Sequence, residues 1–318
     1  MRPPAQAWRR VAWTWELLAL TGFCLTLGGV IAIVIAATSG LLPQDLHFLG
    51  MSRDELCRLQ DCRVLHFMVH DRVSFGGSII AIGAVYGWLA ARPLANGEEW
   101  AWWALAVSGT AGFLSFLSYL GFGYLDLWHG RATLLLLVLF VAGLVRSRRL
   151  LEDREGLRSL LVPAASPPRG SRLWLGRAAI LFAAFGMIAG GATITILGST
   201  IVFVPQDLEF MGARAEDLRA IPHLVPVIAH DRAGFGGGLC SGGLAIFFAT
   251  WCGLRPGARA LWWVLALSGA VGFGCAIGIH PVIGYLSLSH LGPALLGAGI
   301  FVAGISALYV PIVRASGK

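Results

Sequence analysis

The sequence predicts an all-α integral membrane protein whose eight transmembrane helices form two parallel tandem four-helix bundles. Three observations predict it. Of 318 residues, 57% are hydrophobic and 13% are charged, and the mean hydropathy is +0.74; a soluble domain carries about a quarter charged residues. Apolar runs long enough for a helix to cross a bilayer recur along the chain, the signature of membrane spans. A set of motifs also occurs twice, most pairs about 160 residues apart. The 42 glycines suit this class, because small residues let membrane helices pack closely whereas they weaken soluble ones.

The first apolar run, Leu17 to Ala37, is too long for a signal core and reads as a span. The pattern places the eight spans at 15–38, 72–91, 99–121, 129–146, 176–203, 232–252, 260–282 and 290–312. An even number of spans puts both termini on one side. The net charge of +7 does not point to nucleic acid, because the cations sit in particular loops. Arg2, Arg9 and Arg10 mark the N-terminus, and Arg146, Arg148, Arg149, Arg154, Arg158, Arg169, Arg172 and Arg177 mark the central linker. Arg255, Arg259, Arg314 and Lys318 fall on the same side. Basic loops stay in the cytoplasm, so the predicted location is a bacterial inner (plasma) membrane with both termini cytoplasmic. Trp100, Trp102, Trp103, Trp262 and Trp263 read as an interfacial aromatic belt on that side and carry no functional assignment.

The repeat sets the domain organisation. Pro43-Gln44-Asp45-Leu46 recurs at 205–208, and His70-Asp71-Arg72-x-x-Phe75-Gly76-Gly77 recurs at 230–237. Ser108-Gly109-x-x-Gly112-Phe113 recurs at 268–273, and Gly123-Tyr124-Leu125-x-Leu127-x-His129 recurs at 284–290. Residues 1–146 form one repeat, 147–172 a Pro- and Arg-containing linker, and 173–318 the second repeat. Four spans per unit make the copies parallel. Two long outer loops remain, and Ser52-x-x-Glu55 in the first is a capping-box signature. It predicts a short amphipathic helix over the bundle. Pro222 and Pro226 predict a shorter one in the second loop.

His70, His129, His230 and His290 are the histidines that match between the copies. Each sits at the outer edge of an even-numbered span, so each unit offers two imidazoles at one level. A four-helix bundle with a facing pair can hold an iron porphyrin through two axial ligands. Gly77 and Gly237 each lie seven residues after a ligand histidine, on the same helix face, and would let a flat macrocycle lie there. Interfacial histidines can also be structural, and duplication copies residues without adding independent votes. An adjacent residue points about 100° away on a helix, so Asp71 and Asp231 are not expected to share their histidine's ligand direction. Two readings stand for the Asp-Arg dipeptides. Either Arg72 and Arg232 hold an anion such as a propionate while the aspartates orient an arginine or a partner histidine, or each pair closes a helix start. Asp45 and Asp207 either cap the outer surface helices, the reading favoured here, or reach the site.

The copies differ at the outer rim. Asp126 and His129 share a helix face, as in non-heme metal bundles, but Ser287 replaces the aspartate in the second copy; His280 stands where the first copy has Tyr119. Cys57 and Cys62 have no counterparts and can form a disulfide if their loop is extracytoplasmic. The first half, with Asp126 and these cysteines, is the better candidate for chemistry, and Asp71, Asp126 and Asp231 are the candidate catalytic acids. Cys24, Cys240, Cys252 and Cys275 read as packing residues.

In this layout the chain resembles the heme A synthase family. That family also has eight spans in two parallel four-helix halves and a histidine pair per half at the outer ends of the even spans. It too has amphipathic outer segments and a cysteine pair. The resemblance spans nearly the whole chain in layout. The family's acidic residue three positions before the second-span histidine is not carried over, since Phe67 and Val227 stand there. The resemblance implies heme on His70, His129, His230 and His290, and a membrane oxidoreductase or electron-transfer protein with a membrane electron donor. A non-heme metalloenzyme using His70, Asp126 and His129 is a second expectation. A transporter of two rocking repeats is a third, with Pro281 as a kink in the seventh span.

Overall fold

The computed structural model describes residues 13–117, 121–124, 127–151 and 155–314. It is helical, with no strand among the described residues, and eight of its helices are long and apolar enough to cross a membrane. In chain order they are α1 (Trp15–Thr38), α4 (Arg63–Ala91), α5 (Glu99–Leu117), α6 (Leu127–Ser147), α7 (Arg172–Ser199), α10 (Leu224–Gly253), α11 (Arg259–Ile283) and α12 (Leu288–Leu308). Four short helices fill the two long loops: α2 (Pro43–Leu49), α3 (Arg53–Arg58), α8 (Pro205–Met211) and α9 (Ala215–Arg219).

Each loop thus holds two short helices where one was expected. Gly50 and Gly212, left-handed at φ 66° and 63°, separate them. The Ser52–Glu55 capping box forms, with Ser52 N–H donating to Glu55 at 2.7 Å and Glu55 N–H to Ser52 Oγ at 3.2 Å. These amide and hydroxyl donors hold the Glu55 carboxyl below the usual range. Cys57 and Cys62 are joined by a disulfide at the turn into α4.

α4 and α10 form the centre of the molecule and pack on each other. α1 lies along α4 and α7 along α10. These approaches are close because they are lined by small residues. A Cβ on Gly29 would fall 2.5 Å from the Gly76 carbonyl, and one on Gly191 would fall 2.5 Å from that of Gly236. The third spans cross over: α5 packs on α10 and α11 on α4, while α5 barely touches α4 and α11 barely touches α10. The eight helices are therefore interleaved, not segregated into two separate bundles.

The recurring Ser-Gly motif explains part of this crossing. Ser241 of α10 donates to the Ser108 carbonyl of α5 at 2.8 Å, and Ser268 of α11 to the Ala81 carbonyl of α4 at 3.2 Å. Trp102 and Trp262 pin the opposite end, donating at 2.9 Å to the carbonyls of Leu144 and Ile305. Arg177, counted with the basic linker, is buried in α7 and ties Ala165 of the linker to the Trp251 carbonyl. Among the described residues, each of the eight spanning helices is continuous through mid-depth. Pro281 lies three residues before the Gly284 cap of α11, too late to bend the span.

Candidate metal centre

Two apolar clusters divide the bundle. One, centred on Ile82, Leu89, Leu105, Ile246 and Leu265, fills the tryptophan end. The other, containing Leu56, Phe67, Met211, Leu224 and Val227, lies under the short helices at the opposite end. Between them α4 and α10 bring together His70, Asp71, Arg72, His230, Asp231 and Arg232. These residues lie inside the helices, since α4 begins nine residues before Arg72 and α10 eight before Arg232. The spans were expected to start at the arginines. They start earlier because the charges neutralise one another across the seam.

The neutralisation is reciprocal. Arg72 of α4 donates to Asp231 of α10 through Nε (2.8 Å) and Nη2 (3.3 Å), and through Nη1 to Asp45 (2.5 Å). Arg232 of α10 pairs with Asp207 at 2.7 Å and faces Asp71 of α4 at 3.5 Å. It also donates to the Val202 carbonyl and lies over the Phe67 ring. Asp45 and Asp207 cap α2 and α8, accepting from the backbone N–H of Leu42 (2.8 Å) and Val204 (2.9 Å). Their second oxygens accept from the phenols of Tyr124 and Tyr285. Capping and reaching the site, weighed as alternatives in the sequence, occur together. Burial and the Asp207 carboxylate push the Tyr285 phenol up, so it remains a neutral donor.

Each histidine is held by the aspartate that follows it. His70 Nδ1 lies 3.0 Å from Asp71 and His230 Nδ1 3.1 Å from Asp231. The 100° helical offset keeps each carboxylate off the Nε2 direction, yet the short Asp side chain reaches the near nitrogen. The same aspartates face the arginine of the other half, so each links an imidazole to the opposite chain segment.

The four repeated histidines do not pair within their own halves. His70 meets His290 and His280, with ring centroids 5.4 and 4.5 Å away, and His280 meets His290 at 5.3 Å. His129 instead meets His230, at 5.2 Å. The crossing of α11 onto α4 and of α5 onto α10 accounts for this exchange. The non-heme set of His70, Asp126 and His129 is therefore not assembled: His70 and His129 sit in different clusters, and Asp126, like Tyr119, lies outside the described residues.

Gly77 and Gly237 are also not a cradle for a macrocycle. A Cβ on Gly77 would lie 2.5 Å from Cys275 Cβ, and one on Gly237 1.9 Å from Ser115 Oγ. The surface that the missing side chains leave is filled by α11 and α5.

His70, His280 and His290 each offer a ring nitrogen within 4.8 Å of the others, the only such group of metal-ligating type among the described residues. Three nitrogens on a tetrahedral ion at about 2.0–2.1 Å stand roughly 3.4 Å apart, inside the 4.8 Å that bounds the nitrogens here. His280 is 3% exposed, and neither of its ring nitrogens reaches good hydrogen-bond geometry, the Ala276 carbonyl one turn back being its only backbone neighbour of that kind among the described residues. A buried polar group in that condition costs free energy unless a ligand satisfies it. Asp71 fixes His70, Asp207 lies 3.9 Å from His290 Nδ1, and Tyr285 stacks on His290 at 4.4 Å. Carboxylate support behind imidazole ligands is the usual outer shell of a metal site.

Among the described residues, the four carboxylates Asp45, Asp71, Asp207 and Asp231 are paired with two arginines, Arg72 and Arg232, so carboxylates outnumber guanidinium groups beside the imidazoles. A bound cation would offset that imbalance. Sequence reasoning passed over His280 because its partner position holds Tyr119. It also left Tyr124 and Tyr285 without a role, though both sit in a recurring motif. When the chain is compared with protein-family models, with curated proteins and with solved structures, nothing matches.

Proposed function

We propose that this chain is a membrane-embedded metalloprotein of the oxidoreductase class, with a non-heme transition-metal ion on His70, His280 and His290. The observation that carries this reading is the convergence of three imidazoles, with His280 buried between the other two and neither of its ring nitrogens in good hydrogen-bond geometry. Three protein ligands leave a fourth position for water or substrate, the pattern of catalytic rather than structural sites. Imidazole ligation suits zinc, copper, iron and nickel. Asp71 would set the tautomer of His70, and the neutral Tyr285 phenol would hold Asp207 in place behind His290.

In this reading the two halves arose by duplication and later diverged at His280. The histidine end faces outward in a bacterial inner membrane, since Arg148, Arg149, Arg255 and Arg259 lie at the other end. A membrane electron donor would serve a redox reaction there.

A second reading is an electron-transfer protein or oxidoreductase similar to the heme A synthase family, with iron porphyrin between facing imidazoles. The two histidine groups at one end of an eight-helix bundle favour it. The filled surfaces at Gly77 and Gly237 weigh against it. Metal analysis and absorption spectra of the detergent-purified protein, oxidised and reduced, separate the two. Bound transition metal without a Soret band, with its tightest-held equivalent lost in His280→Ala, is the expected result. A Soret band that shifts on reduction and survives His280→Ala would establish the heme reading instead.

A further inference from the structure

We infer that His129 and His230 form a second site for a divalent transition-metal cation, negatively coupled to the three-histidine centre. The inference rests on the metal reading of that first centre. His129, at the start of α6, and His230, in α10, approach to 5.2 Å between ring centroids at 74°. Tyr124, 4% exposed, lies 5.2 Å from the His230 ring. Asp231 occupies His230 Nδ1 at 3.1 Å, which makes Nε2 the ligand nitrogen and supplies the carboxylate behind it. This repeats the arrangement of Asp71 behind His70. Among the described residues the site has two imidazoles where the first centre has three, and on that count it is the weaker of the two for the same cation.

The coupling follows from how the charges are wired. Asp71, behind His70 in the first centre, faces Arg232, the second residue after His230. Asp231, behind His230 in the second site, pairs with Arg72, the second residue after His70. Asp45 pairs with Arg72 and accepts from Tyr124, whereas Asp207 pairs with Arg232 and accepts from Tyr285. Among the described residues, both sites thus draw on one shared excess of carboxylates over arginines. A first divalent cation offsets that excess, and a second adds further positive charge among buried groups where charge is poorly screened. Coupling between sites usually amounts to a factor of about 5–150 and is reciprocal.

The test is titration of metal-free, detergent-purified full-length protein with Co2+, followed by its visible absorption and by equilibrium dialysis. Two binding phases are expected, the second at least about tenfold weaker. His129→Gln should remove the weak phase and leave the tight one. His280→Ala should abolish the tight phase and strengthen the remaining one by the coupling factor, which is smaller than the factor that separated the two. One equivalent of Co2+, lost in His280→Ala and unaffected by His129→Gln, would overturn the second site while sustaining the first. Two phases of equal affinity, each indifferent to loss of the other, would overturn the coupling. No Co2+ binding by the wild-type protein would overturn both readings together. The wild-type stoichiometry carries the test even if a variant fails to fold.

Discussion

Asp71 acts on two groups at once, and its chemistry makes the two effects separable. One oxygen holds His70 Nδ1 at 3.0 Å, and the other faces Arg232 at 3.5 Å. Asp71→Asn keeps the size and loses the charge. Metal affinity of the three-histidine centre should fall about 10–100-fold, the usual effect of losing an outer-shell carboxylate. Competition against a chromophoric chelator measures this. Arg232→Ala should act on stability, because it strands Asp71 and Asp207 without their cation; breaking a buried pair costs about 3–5 kcal/mol. Denaturant unfolding in detergent reads that loss, and an unchanged midpoint would contradict the ion-pair assignment. The histidine-aspartate-arginine triplets were legible in the sequence as site residues, while the direct contact between neighbours was not. Helical geometry fixes where Cβ atoms point, but the reach of a short carboxylate to an adjacent imidazole depends on rotamers. His280 stood in plain view on an apolar helix, yet a search for matched positions could not select it.

The helices α4 and α10 show how the same sequence signal can mislead about a boundary. An unpaired Arg or Asp at a bilayer centre costs about 2.5–3.5 kcal/mol, so a span is reasonably begun at the first charge. In α4 and α10 the charges are paired across the seam, and each helix continues through them with His70 and His230 well inside its start. The glycines beside them were legible as one helix face but not as to what covers that face. Gly77 receives Cys275 and Gly237 receives Ser115, so these positions are notches that admit the crossing helices. Gly237→Ala should destabilise by about 1–3 kcal/mol, because the new methyl overlaps Ser115 and the core must shift. Gly278→Ala in α11, where no atom lies within 4 Å of the added Cβ, should leave the unfolding midpoint unchanged or slightly raised. Equal effects of the two substitutions would mean that helix propensity, not close packing, governs these sites.

At the scale of the molecule, hydropathy and the recurring motifs determine how many spans there are and which ends carry histidine, but not which spans are neighbours. Segregated and interleaved arrangements have the same spans, the same loop lengths and the same polar residues at each end. What separates them is complementarity between distant surfaces: Ser241 on the Ser108 carbonyl, Ser268 on the Ala81 carbonyl, and the filled notches at Gly77 and Gly237. Those matches become visible only once the helices are placed. The interleaving has a direct functional consequence, because His70 comes from the first half of the chain and His280 and His290 from the second. The Arg72–Asp231 and Arg232–Asp71 pairs cross the same divide. If the chain is divided between Pro167 and Pro168, neither fragment alone should bind Co2+ with the tight phase. Co-expression of the two should restore both the phase and a stable complex through detergent purification. Segregated bundles would behave differently, each fragment keeping its own histidine pair and its own ligand. Tight binding by the first fragment alone would therefore refute the crossed arrangement, and with it the three-histidine centre.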